Sequence, residues 1–389
     1  MLQATSSQGE AVTLAILTRE EVQKHKLQNE FYCPVCKEKV IVKFGNKVIP
    51  HFAHQAKSRC SIDNGGEGEY HERGKLHLFN WLKKQGLSIQ LEAYLPEIKQ
   101  RPDILLQINN KLIAIEFQCA RMSAEEFYHR NQGYKQLNIF PLWILGGNRF
   151  KRTGMNLLSI TPNDMLFLQH PTLKSPLLMF FYCPNARQFS IANNIQLTGK
   201  RLAFADIRYL DLNKVRITDL FVSVQHDKQA LWSFWQRQKY LVRTRPSPHM
   251  TTQERKWRQW LYLKRSHPSL LPSIIHLPIR NQFLANSPPW VWQSRLCLDI
   301  LSPLPISGKL TLQRCNTYLK AHIQSPRFYP LIRTAYNPIE EYLQLLVKLN
   351  YFHHTDKQIY EKVKEIKFPT GIEQALKEDA KLISFLKNI

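Results

Sequence analysis

The stretch that most restricts this chain is RPDILLQINNKLIAIEFQC, residues 101–119. Ile104, Leu106, Ile113, Ile115 and Phe117 recur at every second position around Asn109-Asn110, a pair suited to a two-residue hairpin turn. Such a turn sets Ile108 opposite Lys111, and counting outward sets Asp103 opposite Glu116. Facing residues of antiparallel strands share one side of the sheet, with Cα atoms roughly 5 Å apart. Gln118, two residues beyond Glu116, points the same way. Two carboxylates and an amide are therefore expected on one small patch of an otherwise apolar hairpin.

Carboxylates that close repel unless a cation lies between them. A magnesium or manganese ion, bound by carboxylates and water, is the economical expectation for Asp103 and Glu116. Such an ion can activate a water and stabilise the charge that develops in phosphate hydrolysis. The plain alternative is an acid pair on a solvated sheet edge.

The flanking pattern is that of a compact α/β unit. Leu76, Phe79 and Leu82 mark one face of a helix over residues 70–82, and LSIQLEAYL reads as a strand. SAEEF opens a second helix, reaching about Leu137, with a capping signal at Ser123. FPLWILGG, residues 140–147, is a short buried strand closed by glycines. On the second helix Arg130 falls on the apolar stripe of Phe127, Tyr134 and Leu137. An arginine there either lays its stem along the surface or holds a phosphate oxygen with its planar fork, with Tyr134 beside it.

Upstream, FYCPVCKEKVIVKFGNKVIPHFAHQAKSRC offers Cys33, Cys36, His51, His54 and Cys60. Tetrahedral zinc takes four thiolate or imidazole ligands, and Cys-x-x-Cys on a tight turn supplies two. A hairpin turning at Gly45-Asn46 would return a histidine to that knuckle. The expected ligands are Cys33, Cys36, His54 and Cys60, with His51 as the alternative, and a full set implies a structural zinc. The second FYCP, at residues 181–184, lacks a following cysteine and reads as core strand. Residues 11–17, AVTLAIL, read as a strand, followed by a capping box at Thr18–Glu21. SIDNGGEGE, residues 61–69, is the first clear punctuation of the chain.

Beyond Gly147 the pattern is weaker. LLMFFYC and RITDLFVSV read as short strands, and from about residue 228 the chain reads as helical, with a proline-rich interruption at 268–305. Helices following TDKQ and TGIE are expected to close it. Residues 228–268 carry ten lysines and arginines against one acid, Glu254. Trp232, Trp235, Trp257 and Trp260 sit at i, i+3 spacing and read as helical core. Arg237, Lys239, Arg243, Arg245, Arg255, Lys256 and Arg258 are the expected DNA-facing set. The formal net charge of +24 implies a polyanionic partner. No apolar run approaches a membrane span, the seven cysteines do not read as a disulfide framework, and a cytoplasmic location is expected.

In order along the chain, FYCPVC, HFAH, YHERGKLHL, RPDILL, IEFQCA, YHRNQGY and PLWIL resemble the competence protein CoiA family, and Pro102-Asp103 with Glu116-Phe117-Gln118 resembles the PD-(D/E)xK nuclease signature. The resemblance implies a restriction-endonuclease-like α/β core at 67–150, an N-terminal zinc-binding β-rich module at 1–66, and a basic, mainly helical C-terminal region at 151–389, with 151–225 a candidate β-containing connector. It implies a metal-dependent deoxyribonuclease acting on single-stranded or branched DNA in natural transformation and recombination, and leaves room for recombination proteins as partners. Gln118 stands where the signature has lysine. Lys75, four residues after His71 on the first helix, is the expected migrated lysine, and either it or Arg130 is expected to stabilise the phosphate. Glu69 and Glu92 are candidates for an added metal ligand. The rival expectation is a DNA-binding recombination accessory with a degenerate nuclease fold. An RNA-binding factor fits the charge but leaves the acid pair unexplained.

Overall fold

The computed structural model describes the chain apart from residues 46–47, 56–59, 61–67, 171–174, 200, 223, 246–249, 334–335 and 389. The Asn46 half of the expected hairpin turn and most of the punctuation at 61–69 lie outside the described residues. The chain forms two compact units. One comprises Met1–Lys151, Leu166–Asn193 and Ile207–Ser223, the other Arg152–Met165, Asn194–Asp206 and Val224–Ile389.

The first unit begins with a small sheet of β1 (Gln3–Ser6), β2 (Ala11–Thr13), β3 (Phe31–Tyr32), β4 (Lys39–Gly45) and β5 (Val48–His54), in the order β2-β1-β3-β4-β5. AVTLAIL is a strand only to Thr13. Leu14–Ile16 turn as a 3-10 helix that buries Leu14 and delivers Thr18 to its capping box on α1 (Arg19–Gln28). Val40 pairs with His54 across β4 and β5, which returns that histidine to the Cys33–Cys36 end of the sheet.

The larger sheet follows: α2 (Glu69–Lys84), β6 (Ser88–Leu91), β7 (Ile104–Ile108), β8 (Lys111–Gln118), α3 (Ala124–Gln136) and β9 (Phe140–Gly146). Ile108 pairs with Lys111 and Ile104 with Ile115, the register that a two-residue Asn109-Asn110 turn dictates, with Asn109 at φ 52°. The parallel pairing of β9 with β8 follows from the α3 crossover. Leu78, Leu82, Ile104, Leu106, Ile115, Phe117 and Ile144 form the core between α2 and the sheet. Gly74 sets how closely α2 lies on it, since a Cβ there would stand 2.1 Å from the Phe117 ring. Within this unit the sheet continues from β9 to β12 (Met179–Cys183) and the first part of β13 (Gln188–Leu197). RITDLFVSV is not a strand. Ile217–Phe221 form a 3-10 turn, because Asp219 caps the Arg216 amide and Ile217 and Leu220 turn inward.

The second unit holds β10 (Arg152–Gly154), β11 (Leu157–Ser159), the short helix α4 (Pro162–Met165), and parts of β13 and of β14 (Leu202–Asp211). Its bulk is α5 (Lys228–Thr244), α6 (Thr252–Leu263), α7 (Pro289–Leu296), α8 (Leu312–Tyr318), α9 (Pro338–Lys348) and α10 (Ile372–Lys387) around a core including Trp257, Trp292, Leu301, Tyr342 and Ile383. Helix α7 forms inside the proline-rich stretch because Pro289 occupies its first turn, where no amide partner is needed. The helix expected after TDKQ is instead a hairpin of β16 (Phe352–Asp356) and β17 (Ile359–Lys362), completed by β15 (Lys309–Thr311). Tyr360 and Lys362 are buried at period two on β17, Phe352 is buried opposite Lys362, and TDKQ supplies the turn. The last helix is capped by Gly371 rather than by a Thr370–Glu373 box, and Thr370 bonds Gln374.

Trp235 and Trp257 are buried, Trp232 and Trp260 partly so. Lys239 and Arg243 depart from the expected DNA-facing set. They lie on the line Leu231, Trp235, Lys239, Arg243, at successive i, i+4 positions of α5, and are buried with it. Arg243 Nε donates to Asp379 Oδ2 at 2.6 Å and its Nη2 to Oδ1 at 2.9 Å. Lys239 Nζ donates to the Ser273 and Ile275 carbonyls and stands 3.2 Å from Asp379. Arg237, Arg245, Arg255 and Lys256 are exposed, and Arg258 is half-buried beside Glu254.

Candidate functional site

The first unit carries a groove of about 780 Å³. Among the described residues Asp103, Glu116, Gln118, Arg130, His71 and Glu72 line it, with Arg101, Arg121 and Glu126 beside them. Helix α2 supplies the histidine and Glu72, the mouth of the β7–β8 hairpin supplies both acids and the glutamine, and α3 supplies Arg130. This convergence follows from the register. Asp103 precedes β7 by one residue, opposite Glu116 near the end of β8.

Each carboxylate already has cationic neighbours. Asp103 Oδ2 accepts the Phe117 amide at 2.8 Å and lies 3.4 Å from His71 Nε2. Its Oδ1 is 3.3 Å from Lys75 Nζ. Glu116 Oε1 accepts from Arg130 Nε at 3.1 Å, and also from Arg130 Nη2 and the Tyr134 hydroxyl. Among the described residues no donor reaches its Oε2. Burial pushes the Glu116 carboxyl up, Arg130 pulls it down, and the Asp103 charge raises it again. Arg130 stays firmly charged, because Glu116 outweighs the cost of burying it. Burial and Glu116 together raise the Tyr134 hydroxyl.

Lys75 is placed differently from expectation. It is fully buried, with its ammonium against Asp103, and is not among the residues that line the groove. Its ammonium donates to Glu92 Oε1 at 2.6 Å. Glu92 is not a candidate metal ligand in this arrangement either. Its Oε2 accepts the Leu2 and Gln3 amides at 2.9 and 3.3 Å, with Arg101 at 3.6 Å. Glu92 thus fastens the N-terminal strand to the lysine beneath the acid pair. Glu69 is exposed, pairs with Arg73 at 3.5 Å and is not brought to the groove. Gln118 lines the groove and donates to the Ala120 carbonyl at 3.0 Å. Glu72, buried and 3.9 Å from His51, is the residue that pattern reading passed over. The signal was present: Glu72 precedes Leu76 by four and Phe79 by seven, on the same helical stripe.

A second cluster adjoins the groove. Cys33, Cys36, His54 and Cys60 bring their ligand atoms within 4.8 Å of one another. Cys33 Sγ and Cys60 Sγ are 3.9 Å apart, and Cys36 Sγ and His54 Nε2 are 3.3 Å apart. A tetrahedral zinc with bonds of about 2.3 Å to sulfur and 2.0–2.1 Å to nitrogen spaces its ligand atoms roughly 3.5–3.8 Å apart, so the four residues fit one. The Val35 amide points at Cys33 Sγ from 3.4 Å, which favours a thiolate. Burial, with the neighbouring thiols, pushes the Cys36 thiol up to about 12, a burden that a bound cation would lift. His51 stays outside the cluster, its Nδ1 2.8 Å from the Ile49 carbonyl. A cluster of this kind can hold a metal such as zinc.

Three domain descriptions match in chain order: "Competence protein CoiA, N-terminal domain" over residues 14–63, "Competence protein CoiA, nuclease-like domain" over 67–225, and "Competence protein CoiA, C-terminal domain" over 232–376. The chain belongs to the competence protein CoiA family. The "Competence protein CoiA" of Bacillus subtilis (strain 168) is 29% identical over 350 residues, covering 89% of this chain and 92% of that one. No solved structure matches significantly. The nuclease-like match of this CoiA-family chain takes in the side of the groove that carries Asp103, Glu116, Gln118 and Arg130, and also β12 and the ten-residue strands β13 and β14. No helix of the described residues is long and apolar enough to cross a membrane.

Proposed function

We propose that the protein is a divalent-metal-dependent deoxyribonuclease that processes single-stranded or branched DNA during natural transformation and recombination, working in the cytoplasm. The observation that carries this reading is the meeting of Asp103, Glu116 and Gln118 with Arg130 along one groove, where Glu116 keeps an oxygen that no described donor takes. Magnesium or manganese is bound through one or two carboxylates plus water, so Asp103 and Glu116 suffice to hold one. The ion would supply charge neutralisation and a water of lowered pKa.

The chain's own groups then divide the work. Gln118 orients the attacking water through its amide. Arg130, fixed by Glu116 and Tyr134, offers its fork to a phosphate oxygen, with Arg101 and Arg121 on the same groove. Lys75 acts from beneath, setting its charge against Asp103 and fixing that carboxylate in place rather than touching substrate. Zinc at Cys33, Cys36, His54 and Cys60 would keep one wall of the groove in shape. Arg237, Arg245, Arg255, Lys256 and Arg258 are the proposed DNA contacts of the C-terminal unit, with binding that weakens steeply in salt.

One observation favours a second reading, a DNA-binding accessory without turnover: Lys75 and Arg130 already neutralise the two acids. The test is cleavage of labelled single-stranded, duplex and branched DNA in magnesium, manganese or no added metal, beside Asp103→Ala with Glu116→Ala. Metal-dependent cutting by the wild type alone supports the nuclease. Binding without cutting in either metal supports the accessory, and equal cutting by both proteins exposes a contaminant.

A further inference from the structure

We infer that Tyr262 is a base-stacking post for single-stranded DNA on the exposed face of helix α6. The choice of DNA rests on the proposed function. The choice of a single strand rests on the helix itself.

Helix α6 turns Trp257 and Leu261 into the core, and Arg295 covers Trp260 with its guanidinium 4.5 Å from the ring. The opposite face carries Arg255, Lys256, Gln259 and Tyr262, all exposed. Tyr262 is 80% exposed and Leu263 73%, so the Tyr262 ring is open to a ligand from solvent. Arg255, Gln259 and Tyr262, at i, i+4 and i+7, form one line down the helix. That line spans about 10 Å at 1.5 Å per residue, a length that suits one or two nucleotides of an extended strand.

Charge selects the occupant. The one acid of the helix, Glu254, is half-buried and spent on Arg258 at 3.3 Å. Arg265, just past the helix end, is also exposed. The face therefore offers cations, a ring and no unpaired carboxylate, which suits a polyanion with stackable bases. Duplex DNA hides the faces of its bases, so an exposed ring gains little from it. A single strand presents them, and stacking on aromatic side chains is independent of sequence.

The experiment uses the full chain in buffer without added divalent metal, and reads fluorescence anisotropy with short single-stranded DNA, duplex DNA and single-stranded RNA. Tyr262→Ala is expected to weaken single-stranded DNA binding roughly 5- to 100-fold, with duplex affinity changed less than about twofold. Tyr262→Phe keeps the ring and is expected to restore it. Arg255→Ala with Lys256→Ala is expected to lower the salt slope on single strands by about 1.4, while Tyr262→Ala leaves the slope unchanged. The inference fails if Tyr262→Ala binds single-stranded DNA like wild type, or if wild type does not bind it. It fails also if Tyr262→Ala loses single-stranded and duplex DNA equally, or if Phe does not restore binding. Tighter binding of RNA with the same Tyr262 dependence would reassign the partner. A change of oligomeric mass with DNA affinity intact would make the face a protein interface. Because the readout is binding, failure to cleave DNA leaves this result standing.

Discussion

Two lysines buried on helices separate structure from function in this molecule. Lys75 and Lys239 each sit on the apolar line of an amphipathic helix, each within 3.3 Å of an aspartate. Around Lys239 the acid, Asp379, is buried and serves Arg243 as well, so the whole cluster is sealed. Around Lys75 the acid, Asp103, reaches the groove, and the lysine is tied through Glu92 to backbone amides of the first strand. A buried ion pair is therefore no mark of a functional site by itself. What distinguishes the first cluster is that one member faces a groove lined by other polar groups.

The comparison breaks hardest at Asp379. Asp379→Ala strands two cations in a sealed core and is expected to cost about 3–5 kcal/mol of stability, read by urea unfolding of tryptophan fluorescence. Replacing the trio by apolar residues, as in Lys239→Met, Arg243→Leu and Asp379→Leu, is expected to restore most of it. If the single variant unfolds like wild type, the cluster is solvated.

Glu92→Gln should be milder in stability and sharper in function. Lys75 retains Asp103 and the amides retain an oxygen acceptor, so the expected cost is about 1–3 kcal/mol. Under the proposed function the displaced Lys75 should also weaken manganese binding at Asp103, measurable by electron paramagnetic resonance, while a stable fold persists. Equal manganese affinity in Glu92→Gln and wild type would reduce the Glu92 link to scaffolding.

Removing a ligand of the cysteine cluster tests the groove wall to which Cys33, His54 and Cys60 belong. Cys36→Ser is expected to lower the zinc content, assayed by a chelating dye, from one per chain toward none. His51→Ala is expected to leave it unchanged, because His51 stands outside the cluster. Zinc loss in the His51 variant instead would move the fourth ligand.

How far the sequence reaches is seen in the same residues. The hairpin at 101–119 was legible because period-two burial and a two-residue turn leave one register, which fixes Asp103, Glu116 and Gln118 together. The side of α2 that carries Glu72 and Lys75, and the side of α5 that carries Lys239 and Arg243, were legible in principle. Glu72, Lys75 and Lys239 lie at i, i+4 from Leu76, Phe79 and Trp235, and Arg243 lies one turn beyond Lys239, but charge alone points a lysine or arginine toward a phosphate rather than into a core. The partners were not legible. Asp379 is 136 residues from Arg243, and the Leu2 amide is 90 from Glu92, so no local pattern links them. TDKQ misled because the residues that cap a helix also make a hairpin turn.

The smallest effect tests the sealed cluster by pH. Burial pulls the Lys239 ammonium down from its usual value near 10.5 to about 8, against the opposing pull of Asp379. Between about 8 and 10.5 the unfolded chain then holds a proton that the folded chain has released. Stability therefore rises with pH across that window, by at most about 1.4 kcal/mol per unit, and this gain is lost as pH falls through 8. The buried thiols of Cys297 and Cys315, each pushed up to about 12 by burial, act in the opposite sense above their ordinary values. The quantity to measure is thus the difference in unfolding free energy between wild type and Lys239→Met, which keeps those thiols in both proteins. A difference that shifts toward wild type by about 1.6 kcal/mol from pH 8 to 9.5 identifies a lysine that sheds its proton in the core. A flat difference means that Asp379 and the Ser273 and Ile275 carbonyls hold the ammonium charged throughout. Lys239 would then keep its charge in a closed core, and what sets Lys75 apart is that its partner Asp103 faces the groove.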